Sequence, residues 1–501
     1  MKNTKLLLFV LFILVFAVNN QAQTLFNGIG HIPSNYQVPW HEAGLINEPT
    51  SFSTVRVYVI SGGTGDDYHE FYTQQQAAKT WVDVDAVNRL AIIHFLEGTY
   101  FLDSTITINA NYQNLVIQGA GSDRTTLVFQ NITNFPCISI YGYYGDWIDV
   151  NGALNKGDKR LYPDPMVPGT WTDKDWIQFI VENYDYRYDG DPQYFASEIV
   201  GQISKIETVD GSGNWIEIVD EANQYYYDLD GEDRPLIIRK LSPAQNIGIE
   251  NLKIIRDPVE SAWGSARPYQ IIFNGAINCW VRGVEIYKPS CNHLALVRST
   301  HCEVSGCYFH EAGGYGGGGW GYGVVMDAST TNCLVENNIF RSLRHSLVAG
   351  GGSNCNVWTF NYSREQCGTD TDRDLDLHAK WPCGHLFEYN IVEEIGADNH
   401  HGANGFYNTF LRNYCYDKAT IRLKEMENWS FLGNISNMYS AKKALCYYAD
   451  HGPIVDLFGY KDSYTIWVTH QTNRDSGFVC ELRDTSYYYS SRPDFLPDTW
   501  Q

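Results

Sequence analysis

A short signature recurs along the second half of the chain: Asn or Gly followed by an apolar residue, at steps of 21 to 32 residues. Its copies stand at Asn251, Gly283, Gly306, Asn338, Asn361, Asn390, Asn413 and Asn434. Steps this short leave no room for helices between copies, so the period predicts a solenoid of stacked β-coils. Such stacking places residues that are far apart in sequence on one surface.

A second repeated tetrapeptide lies upstream of several of these marks. Its copies are Asn278–Val281, His301–Val304, Asn332–Val335 and Asn354–Val357. Each predicts a short strand with alternating faces, and the Asn side chains are expected to bond backbone groups of the next coil. The cysteines at the second position, Cys279, Cys302, Cys333 and Cys355, favour a buried stack of thiols, with disulfides as the alternative in an exported chain.

The N-terminal part fits the same architecture through Ile92–Tyr100, which ends in Gly-Thr-Tyr, and Leu115–Gly119. At these residues the chain resembles the pectate-lyase-like superfamily, over about residues 90–120 and 245–440. The resemblance implies an all-β fold, a right-handed parallel β-helix, here with an inserted small β-subdomain. Because this fold hosts lyases, hydrolases, epimerases and non-enzymic adhesins, the function has to be argued from the site.

The domain organisation follows from composition shifts along the chain. Residues 1–23, with two lysines before an apolar run, are typical of a signal peptide, which predicts a secreted or periplasmic protein with no membrane span after its removal. The further divisions are 24–140 for the N-terminal region and first coils, 141–240 for the inserted β-subdomain, 241–440 for the main helix with its groove, and 441–501 for a C-terminal cap or tail.

Charge and aromatic content limit the classes of partner that the chain is expected to bind. The net charge of −22 argues against nucleic acid, because binding phosphates requires clustered Lys and Arg. The 35 Tyr and 14 Trp are in keeping with a surface that binds sugars, although Tyr is also a common strand residue. The predicted partner is therefore a polysaccharide or oligosaccharide.

Three insertions follow the repeat marks, at Arg256–Gln270, Glu311–Tyr322 and Ser363–Trp381. Because they fall at one position of successive coils, we expect them to form a wall beside a groove. The middle insertion is Gly-rich flexible backbone with three aromatic rings, which can lie against a bound sugar. The predicted substrate-binding residues are His293, Tyr315, Trp320, Tyr322 and His400.

The strands after these insertions carry a concentration of ionisable residues. In Asp374–Lys380 a period of two predicts that the Asp, His and Lys side chains face outward and the Leu side chains inward. The predicted catalytic residues are His378, Lys380, His401, Arg344, His345, Arg422, Lys424 and Asp376. We expect His378 or Lys380 to be a base, His401 an acid, and Arg344, Arg422 and Lys424 to hold a carboxylate.

Alternating carboxylates precede the same strand. Asp370, Asp372 and Asp374 form a cluster that suits a hard cation, so the sequence predicts a calcium site there. The spacing is similar to a calcium loop, but the Gly and the distal Glu of an EF-hand are missing.

Two chemistries fit these residues. A polysaccharide lyase acting on a uronate-containing glycan needs a base, an acid and cations, and this is the favoured reading. A glycoside hydrolase needs two carboxylates, which Asp374, Asp376 and Asp398 can supply. The order of these Asp residues, His401-Gly402 and Arg422–Lys424 is similar to polygalacturonase-like hydrolases, although their Asn-Thr-Asp and Asp-Asp motifs are absent. A non-enzymic carbohydrate-binding surface protein is the third possibility.

Overall fold

The computed structural model describes residues 38–63, 67–130, 132, 135–166, 169–181, 199–226, 236–257, 268–315, 318–368, 373–378, 380–398, 404–416, 421–423, 429–436, 443–449 and 455–456. For Asp398 and from residue 421 onward it describes the backbone alone. None of the helices in these ranges is long and apolar enough to cross a membrane.

The N-terminal region begins the solenoid. Two 3₁₀ turns, Trp40–Glu42 and Pro49–Ser51, precede the first strand, and helix α1, Asp67–Val82, packs against the first strands. The strands are β1 Thr54–Ile60, β2 Arg89–Phe95, β3 Gly98–Leu102, β4 Ile106–Asn109, β5 Gln113–Gln118, β6 Thr125–Gln130 and β7 Ile138–Tyr141. The buried face of α1 includes Phe71, Ala78 and Val82, which belong to the same core as these strands.

An eight-stranded, antiparallel sheet is inserted next. Its strands are β8 Tyr143–Tyr144, β9 Ile148–Val150, β10 Arg160–Leu161, β11 Pro163–Asp164, β12 Trp176–Val181, β13 Gly201–Val209, β14 Ile216–Ile218 and β15 Leu236–Ser242. The turn at Asp210–Gly213 joins β13 to β14 as a hairpin. The sheet has a hydrophobic core of its own and is joined to the solenoid by buried hydrogen bonds, including Asn354 Nδ2 to the Gly201 carbonyl (2.7 Å).

The main solenoid follows in seven coils of three strands, with one extra two-residue strand in the second coil and three further strands after the last coil. Its strands are β16 Ala244–Glu250, β17 Lys253–Asp257, β18 Tyr269–Asn274, β19 Ala276–Ile277, β20 Trp280–Arg282, β21 Glu285–Tyr287, β22 Asn292–Val297, β23 Glu303–Ser305, β24 Tyr308–His310, β25 Tyr322–Asp327, β26 Leu334–Glu336, β27 Ile339–Arg341, β28 His345–Ala349, β29 Val357–Thr359, β30 Tyr362–Arg364, β31 Leu375–His378, β32 Leu386–Glu388, β33 Ile391–Val392, β34 Ile395–Asp398, β35 Thr409–Leu411, β36 Tyr414–Cys415, β37 Ile421–Leu423, β38 Trp429–Ser436, β39 Lys443–Ala449 and β40 Val455–Asp456. Antiparallel pairing of β37 with β40 and of β38 with β39 follows the last coil.

Parallel pairing of equivalent strands gives the solenoid three faces. The first face contains β20, β23, β26, β29, β32 and β35, the second face β21, β24, β27, β30, β33 and β36, and the third face β22, β25, β28, β31, β34 and β37. Inward side chains stack coil on coil; on the third face one such stack is Leu294, Val324, Leu347, Leu375 and Ile395, all fully buried. The all-β right-handed parallel β-helix with an inserted β-subdomain, predicted from sequence, is confirmed.

The bend between the first and second faces explains the sequence signature. One residue per coil has a positive φ of 52° to 61° there, namely Asn251, Gly283, Gly306, Asn337, Phe360, Tyr389 and Arg412. Asn338, Asn361, Asn390 and Asn413 occupy the following position. The predicted alignment of Gly306 with Asn338 is therefore wrong by one residue, because the left-handed bend and the Asn stack are neighbouring columns that one signature cannot separate.

The Asn stack forms a continuous hydrogen-bonded ladder. The Asn338 side-chain amide donates to Asn361 Oδ1 (3.0 Å), Asn361 to Asn390 (3.0 Å) and Asn390 to Asn413 (2.9 Å). Each Oδ1 also accepts the backbone N–H of the coil before it. All four side chains are buried, so these bonds satisfy backbone groups at a bend where sheet pairing is interrupted.

Three of the four cysteines predicted to align from coil to coil do so. Cys279, Cys302 and Cys333 occupy one column, are buried and are free thiols. Cys355 is out of register, because Val357 pairs with Leu334 and this places Asn356 opposite Cys333. The prediction of four aligned cysteines is wrong at Cys355, which belongs to a different cluster with Trp40 and Trp381.

Breaking the ladder tests its contribution to stability. Asn361→Ala removes two accepted and two donated hydrogen bonds inside the core. We expect the free energy of unfolding to fall by about 2–4 kcal/mol, because buried polar partners are left unsatisfied. Chemical denaturation measures the loss. Asn88→Ala, at an exposed position, is the control and is expected to change little; equal effects of both variants would contradict a structural role for the ladder.

Candidate functional site

The three insertions predicted to form a wall beside a groove occur at one position of the coil. Each connects a second-face strand to a third-face strand, namely β17 to β18, β24 to β25 and β30 to β31. The described residues at the ends of the insertions therefore adjoin the starts of third-face strands. Strands β28, β31, β34 and β37 pair in that order, so the ionisable residues predicted to lie together are on successive coils.

Alternation along β31 orients two of the ionisable side chains. Leu375 and Leu377 lie in the core, so Asp376 and His378 project from the outer side of the sheet. His378 Nδ1 lies 3.4 Å from Asp376 Oδ2. Asp376 is fully buried, whereas the His378 side chain is 21% exposed and is the route from this pair to solvent. The sequence predicted this pair on one face.

Tyr322 extends the pair into a chain of three groups. Its hydroxyl lies 3.4 Å from His378 Nε2 and accepts the Gly319 backbone N–H at 3.0 Å. Neither Asp376 oxygen has a hydrogen-bond partner among the described residues, so its contact with His378 Nδ1 is an ion-pair approach. A neutral His378 ring that is protonated on Nδ1 presents Nε2 as an acceptor toward the Tyr322 hydroxyl. The structure thus places Tyr322, predicted as a sugar-binding ring, at hydrogen-bonding distance of the predicted base.

His345 lies on the other side of Asp376. Its Nδ1 is 2.7 Å from the Arg373 carbonyl and 3.7 Å from Asp376 Oδ2, and its ring centroid is 4.9 Å from that of Tyr322. A carbonyl only accepts, so Nδ1 carries the proton. Burial lowers the pKa of His345 to about 4, and the neighbouring Asp376 opposes that shift only in part. His345 is therefore neutral at ordinary pH, and it lies against both Asp376 and Tyr322.

Arg373 crosses the outer side of the sheet beside Asp376. Gly396 pairs with Asp376 on the next strand, and a Cβ at Gly396 would lie 1.6 Å from Arg373 Cδ. The absence of a side chain at Gly396 is thus what lets the Arg373 stem lie there. Arg373 is 7% exposed, and its stem carries a permanent cation on the outer side of the sheet, over the strand that pairs with Asp376.

Asp374 departs from the predicted alternation. Strand β31 begins only at Leu375, and Asp374 Oδ2 instead accepts the Glu393 backbone N–H (2.6 Å) at the bend between the second and third faces. Burial raises the pKa of Asp374 to about 7, and the negative charge of Glu393 adds to that shift. The prediction that it faces outward with Asp376 is wrong, so these two do not form the paired carboxylates of a hydrolase.

Lys380 and Arg344 lie at strand ends. Lys380 follows β31 by two residues, has a φ of 60°, and its carbonyl accepts the Gly352 N–H (2.7 Å), so it too lies beyond the alternation of β31. Arg344 precedes His345, is half-buried, and its backbone N–H donates to the Gly321 carbonyl (2.9 Å). Arg344 therefore lies where the Gly-rich insertion meets the third face.

The Gly-rich insertion is tied to both neighbouring coils. The Tyr315 hydroxyl donates to the Ser342 carbonyl (2.7 Å) and accepts the Ala312 N–H (2.9 Å), and burial raises the pKa of Tyr315 to about 12. On the other side, Asn292 Nδ2 donates to the Gly319 carbonyl (2.9 Å). Trp320 is half-buried on the same segment. These bonds fix Gly319, whose N–H contacts the Tyr322 hydroxyl.

His293 lies on the third face two strands before His345, but one residue further along the register, in the column of Ser346. It is fully buried, with its two ring nitrogens 3.0 Å and 3.4 Å from the carbonyls of Tyr322 and His310. Burial lowers its pKa to about 4. It supports the start of β25, and its ring does not reach the solvent.

The remaining predicted residues cannot be placed with their side chains. His400, His401, Lys424, Asp370 and Asp372 lie outside the described residues. The backbone of Arg422 pairs with Gly396, which puts it in the column of Asp376. Within the described ranges no group of three or more His, Cys, Asp or Glu residues is arranged to hold a metal, and Asp374 bonds to backbone instead.

Sequence reasoning missed Arg373 and Gly396 altogether. Arg373 stands before the strand, where a period of two gives no orientation, and Gly396 signals a close approach only when its pairing with Asp376 is known. The one available signal was a Gly inside a strand between coils that carry Asp376 and Arg422.

Filling the space above Gly396 tests the placement of Arg373. In Gly396→Ala the added methyl requires Arg373 to move, so we expect a loss of stability of about 1–3 kcal/mol. Thermal unfolding measures the loss. Gly211→Ala, where a Cβ meets nothing within 4 Å, is the matched control. Unchanged stability in Gly396→Ala would contradict the placement of Arg373.

The raised pKa of Asp374 gives a pH-dependent prediction. Because the folded pKa of about 7 exceeds the ordinary value of 3.8, ionisation of Asp374 destabilises the fold as pH rises from about 4 to 7. Asp374→Asn should therefore be stabilised relative to the unsubstituted protein at pH 8, by up to about 4 kcal/mol, and not at pH 4. Denaturation at both pH values measures this; a difference independent of pH, as expected for the exposed Asp123→Asn control, would contradict it.

Comparison with known proteins supports the architecture. No protein-family model matches the chain, and no curated protein matches its sequence. Among solved structures, the tailspike protein gp49 from Pseudomonas phage LKA1 matches with a TM-score of 0.54 and 13% identity, covering 72% of this chain and 56% of that chain. At that identity the match shows the fold alone.

Two further matches are more distant. The Gp54 tailspike of Acinetobacter baumannii bacteriophage AP22, solved with capsular saccharide, has a TM-score of 0.35 and 11% identity, over 70% of this chain and 66% of that chain. The A-module of the mannuronan C-5 epimerase AlgE6 from Azotobacter vinelandii has a TM-score of 0.33 and 11% identity, over 74% and 77%. The chain spans about half to two thirds of the length of these tailspikes. The match to the gp49 tailspike supports a parallel β-helix, and membership of the pectate-lyase-like superfamily stays a prediction.

Proposed function

We propose that the protein is a carbohydrate-active enzyme, a polysaccharide lyase that cleaves a uronate-containing glycan by β-elimination. The observation that carries the proposal is the chain of contacts from Asp376 through His378 to Tyr322, with the Gly319 N–H on the Tyr322 hydroxyl. Distances of 3.4 Å are long for hydrogen bonds, as is common at catalytic groups before substrate binds.

The chain of groups suits proton transfer in both directions. His378 Nε2 takes the proton α to the uronate carboxylate, a carbon–carbon double bond forms, and the bond to the leaving oxygen breaks. The Tyr322 hydroxyl gives its proton to that oxygen, and the Gly319 N–H stabilises the phenolate that remains. The proton on His378 then returns to Tyr322. Asp376 holds His378 in the required tautomer and stabilises its charged form.

Cations around the site suit a carboxylate-bearing substrate. Arg373 lies beside Asp376, and Arg344 precedes His345 at the start of β28. A positive charge near the substrate carboxylate lowers the energy of the enolate that forms when the α proton leaves. Asp374 bonds to backbone at the bend, which argues against its pairing with Asp376 as the two carboxylates of a hydrolase. Asp398, the third carboxylate of that alternative, pairs with His378 on the next strand through its backbone, so hydrolysis stays the alternative to be tested.

Export and calcium remain parts of the proposal. The signal peptide predicted over residues 1–23 would deliver the protein to the periplasm or the medium, where polysaccharide is met. A calcium ion at Asp370 and Asp372 would add positive charge close to the start of β31. Removing calcium with a chelator is therefore included in the assay as a separate arm.

A substrate screen tests the reaction class. Purified protein is incubated with uronate-containing and neutral polysaccharides, with calcium or with chelator, while ultraviolet absorbance of unsaturated uronate and reducing ends are both followed. We expect absorbance and reducing ends to rise together on a uronate-containing glycan. New reducing ends without absorbance would indicate a hydrolase and contradict elimination, and binding without either signal would indicate a non-enzymic carbohydrate-binding protein.

Substitutions test the roles of the two proton-carrying residues. We expect His378→Ala and Tyr322→Phe each to lower kcat by about 10²-fold or more, because each removes one proton-transfer partner. His310→Ala is the matched control, because His310 also lies 3.0 Å from a carboxylate, that of Glu285, but on the second face. If His310→Ala loses as much activity as His378→Ala, or if His378→Ala keeps full activity, the site is elsewhere.

A further inference from the structure

The second face carries a repeating pattern that the site does not use. Pairing of β24, β27, β30, β33 and β36 puts one outward residue of each strand into a single column. The column reads Tyr308, Ile339, Tyr362, Ile391 and Tyr414, so that tyrosine alternates with isoleucine from coil to coil. We call it the tyrosine column. The backbone of the next partner, Ile435, continues the alternation in sequence.

The column lies on the second face, whereas the described N-terminal segment contacts the first face. The outer side of the first face is contacted by the N-terminal segment, where Trp40 Nε1 donates to the Gly384 carbonyl and the Ile46 N–H donates to Asn278. In the described part of residues 244–416, the large apolar or aromatic side chains that stay exposed are Ile339, at 46%, and Tyr362, at 36%. Both belong to the tyrosine column and are neighbours in it.

The spacing of the rings fits an extended glycan. Strands of a parallel sheet lie about 4.8 Å apart, so tyrosines on alternate coils are about 9.6 Å apart. That distance is close to the length of a disaccharide in an extended chain. Flat aromatic rings bind the apolar side of a sugar while their hydroxyls remain hydrated. Tyr308 stacks on His310 (ring centroids 4.0 Å apart) and Tyr362 on Tyr416 (6.3 Å), so these rings are held in place by neighbours on their own coil or a later one. Three tyrosines in register therefore offer ring surface to every second sugar of a polymer.

The charges beside the column are balanced, unlike those of the whole chain. Lys253 pairs with Glu285 (2.7 Å) and Arg341 with Glu365 (2.6 Å), with Arg364 3.8 Å from the same Glu365. The Glu393 carboxylate accepts the Glu365 N–H (2.8 Å), which makes three carboxylates beside three cations. The protein carries a net charge of −22, which repels acidic polymers from most of its surface. A locally balanced strip with Arg side chains is where an acidic glycan can approach.

From these observations we infer that the tyrosine column is a second glycan-binding surface, which holds an extended polysaccharide along the solenoid outside the site of cleavage. The inference takes the class of glycan from the proposed function, and it does not depend on the reaction that the protein catalyses. Its occupant is a polymer long enough to span several coils, so short oligosaccharides should gain little from it.

The test separates polymer binding from turnover. In the His378→Ala background, which prevents cleavage, affinity electrophoresis on uronate-containing and neutral polysaccharides compares Tyr362→Ala, Tyr362→Phe and the triple variant Tyr308→Ala/Tyr362→Ala/Tyr414→Ala. Tyr162→Ala, at a tyrosine that is 44% exposed in the inserted sheet, is the control. We expect the triple variant to bind polymer about tenfold more weakly, Tyr362→Ala less so, and Tyr362→Phe to keep the affinity because the ring remains.

The outcomes distinguish this inference from the proposed function. With His378 intact, the triple variant should turn over short oligosaccharides at the unsubstituted rate. If polymer binding depends on the tyrosines but no turnover is detected, the proposed function is refuted and the second glycan-binding surface is supported. Equal polymer affinity of the triple variant and Tyr162→Ala would overturn the second surface, as would a dimer in light scattering that dissociates in the triple variant, since the column would then be an interface between copies.

Discussion

The stacking of equivalent backbone segments at one strand spacing is the constraint on which everything else in this protein depends. Parallel pairing fixes the register of each coil on the one before it, and the buried ladder from Asn338 to Asn413 holds that register where the sheet bends. A shift of one residue would turn the core stack of Leu347 and Leu375 outward. Because register is fixed this strongly, single residues on different coils meet reproducibly.

The fixed register brings titratable and charged groups of successive coils together around one buried carboxylate. Asp376 is fully buried, and burial of a lone carboxylate is strongly unfavourable unless positive or hydrogen-bonding groups surround it. His378 and His345 approach it within its own strand and from the strand before, and Arg373 lies over the neighbouring Gly396. The lowered pKa of His345 keeps that ring neutral, so His378 is the imidazole that can exchange a proton with solvent.

Much of the fold could be predicted, because the repeat period is visible in the sequence. Which residues align from coil to coil could not be predicted to the exact position. The strands after the three insertions pair as expected, since insertions between β17 and β18, β24 and β25, and β30 and β31 recur at one bend. Cys355 was misplaced by one position, because the pairing of Val357 with Leu334 puts Asn356 opposite Cys333. The orientation of Asp374 was wrong, because strand β31 begins only at Leu375 and the period of two does not extend to the residue before it. Arg373 could not be found at all, since its position depends on an empty space across the sheet.

The central claim is that the Asp376–His378–Tyr322 chain of groups moves a proton in an elimination, with no water added to the glycan. The most direct test is cleavage of a uronate-containing polysaccharide in water enriched in heavy oxygen, followed by mass spectrometry of the new ends. The account predicts unsaturated products that carry no label, from a reaction that requires His378. Saturated products that carry one labelled oxygen at the new reducing end would contradict it and establish hydrolysis.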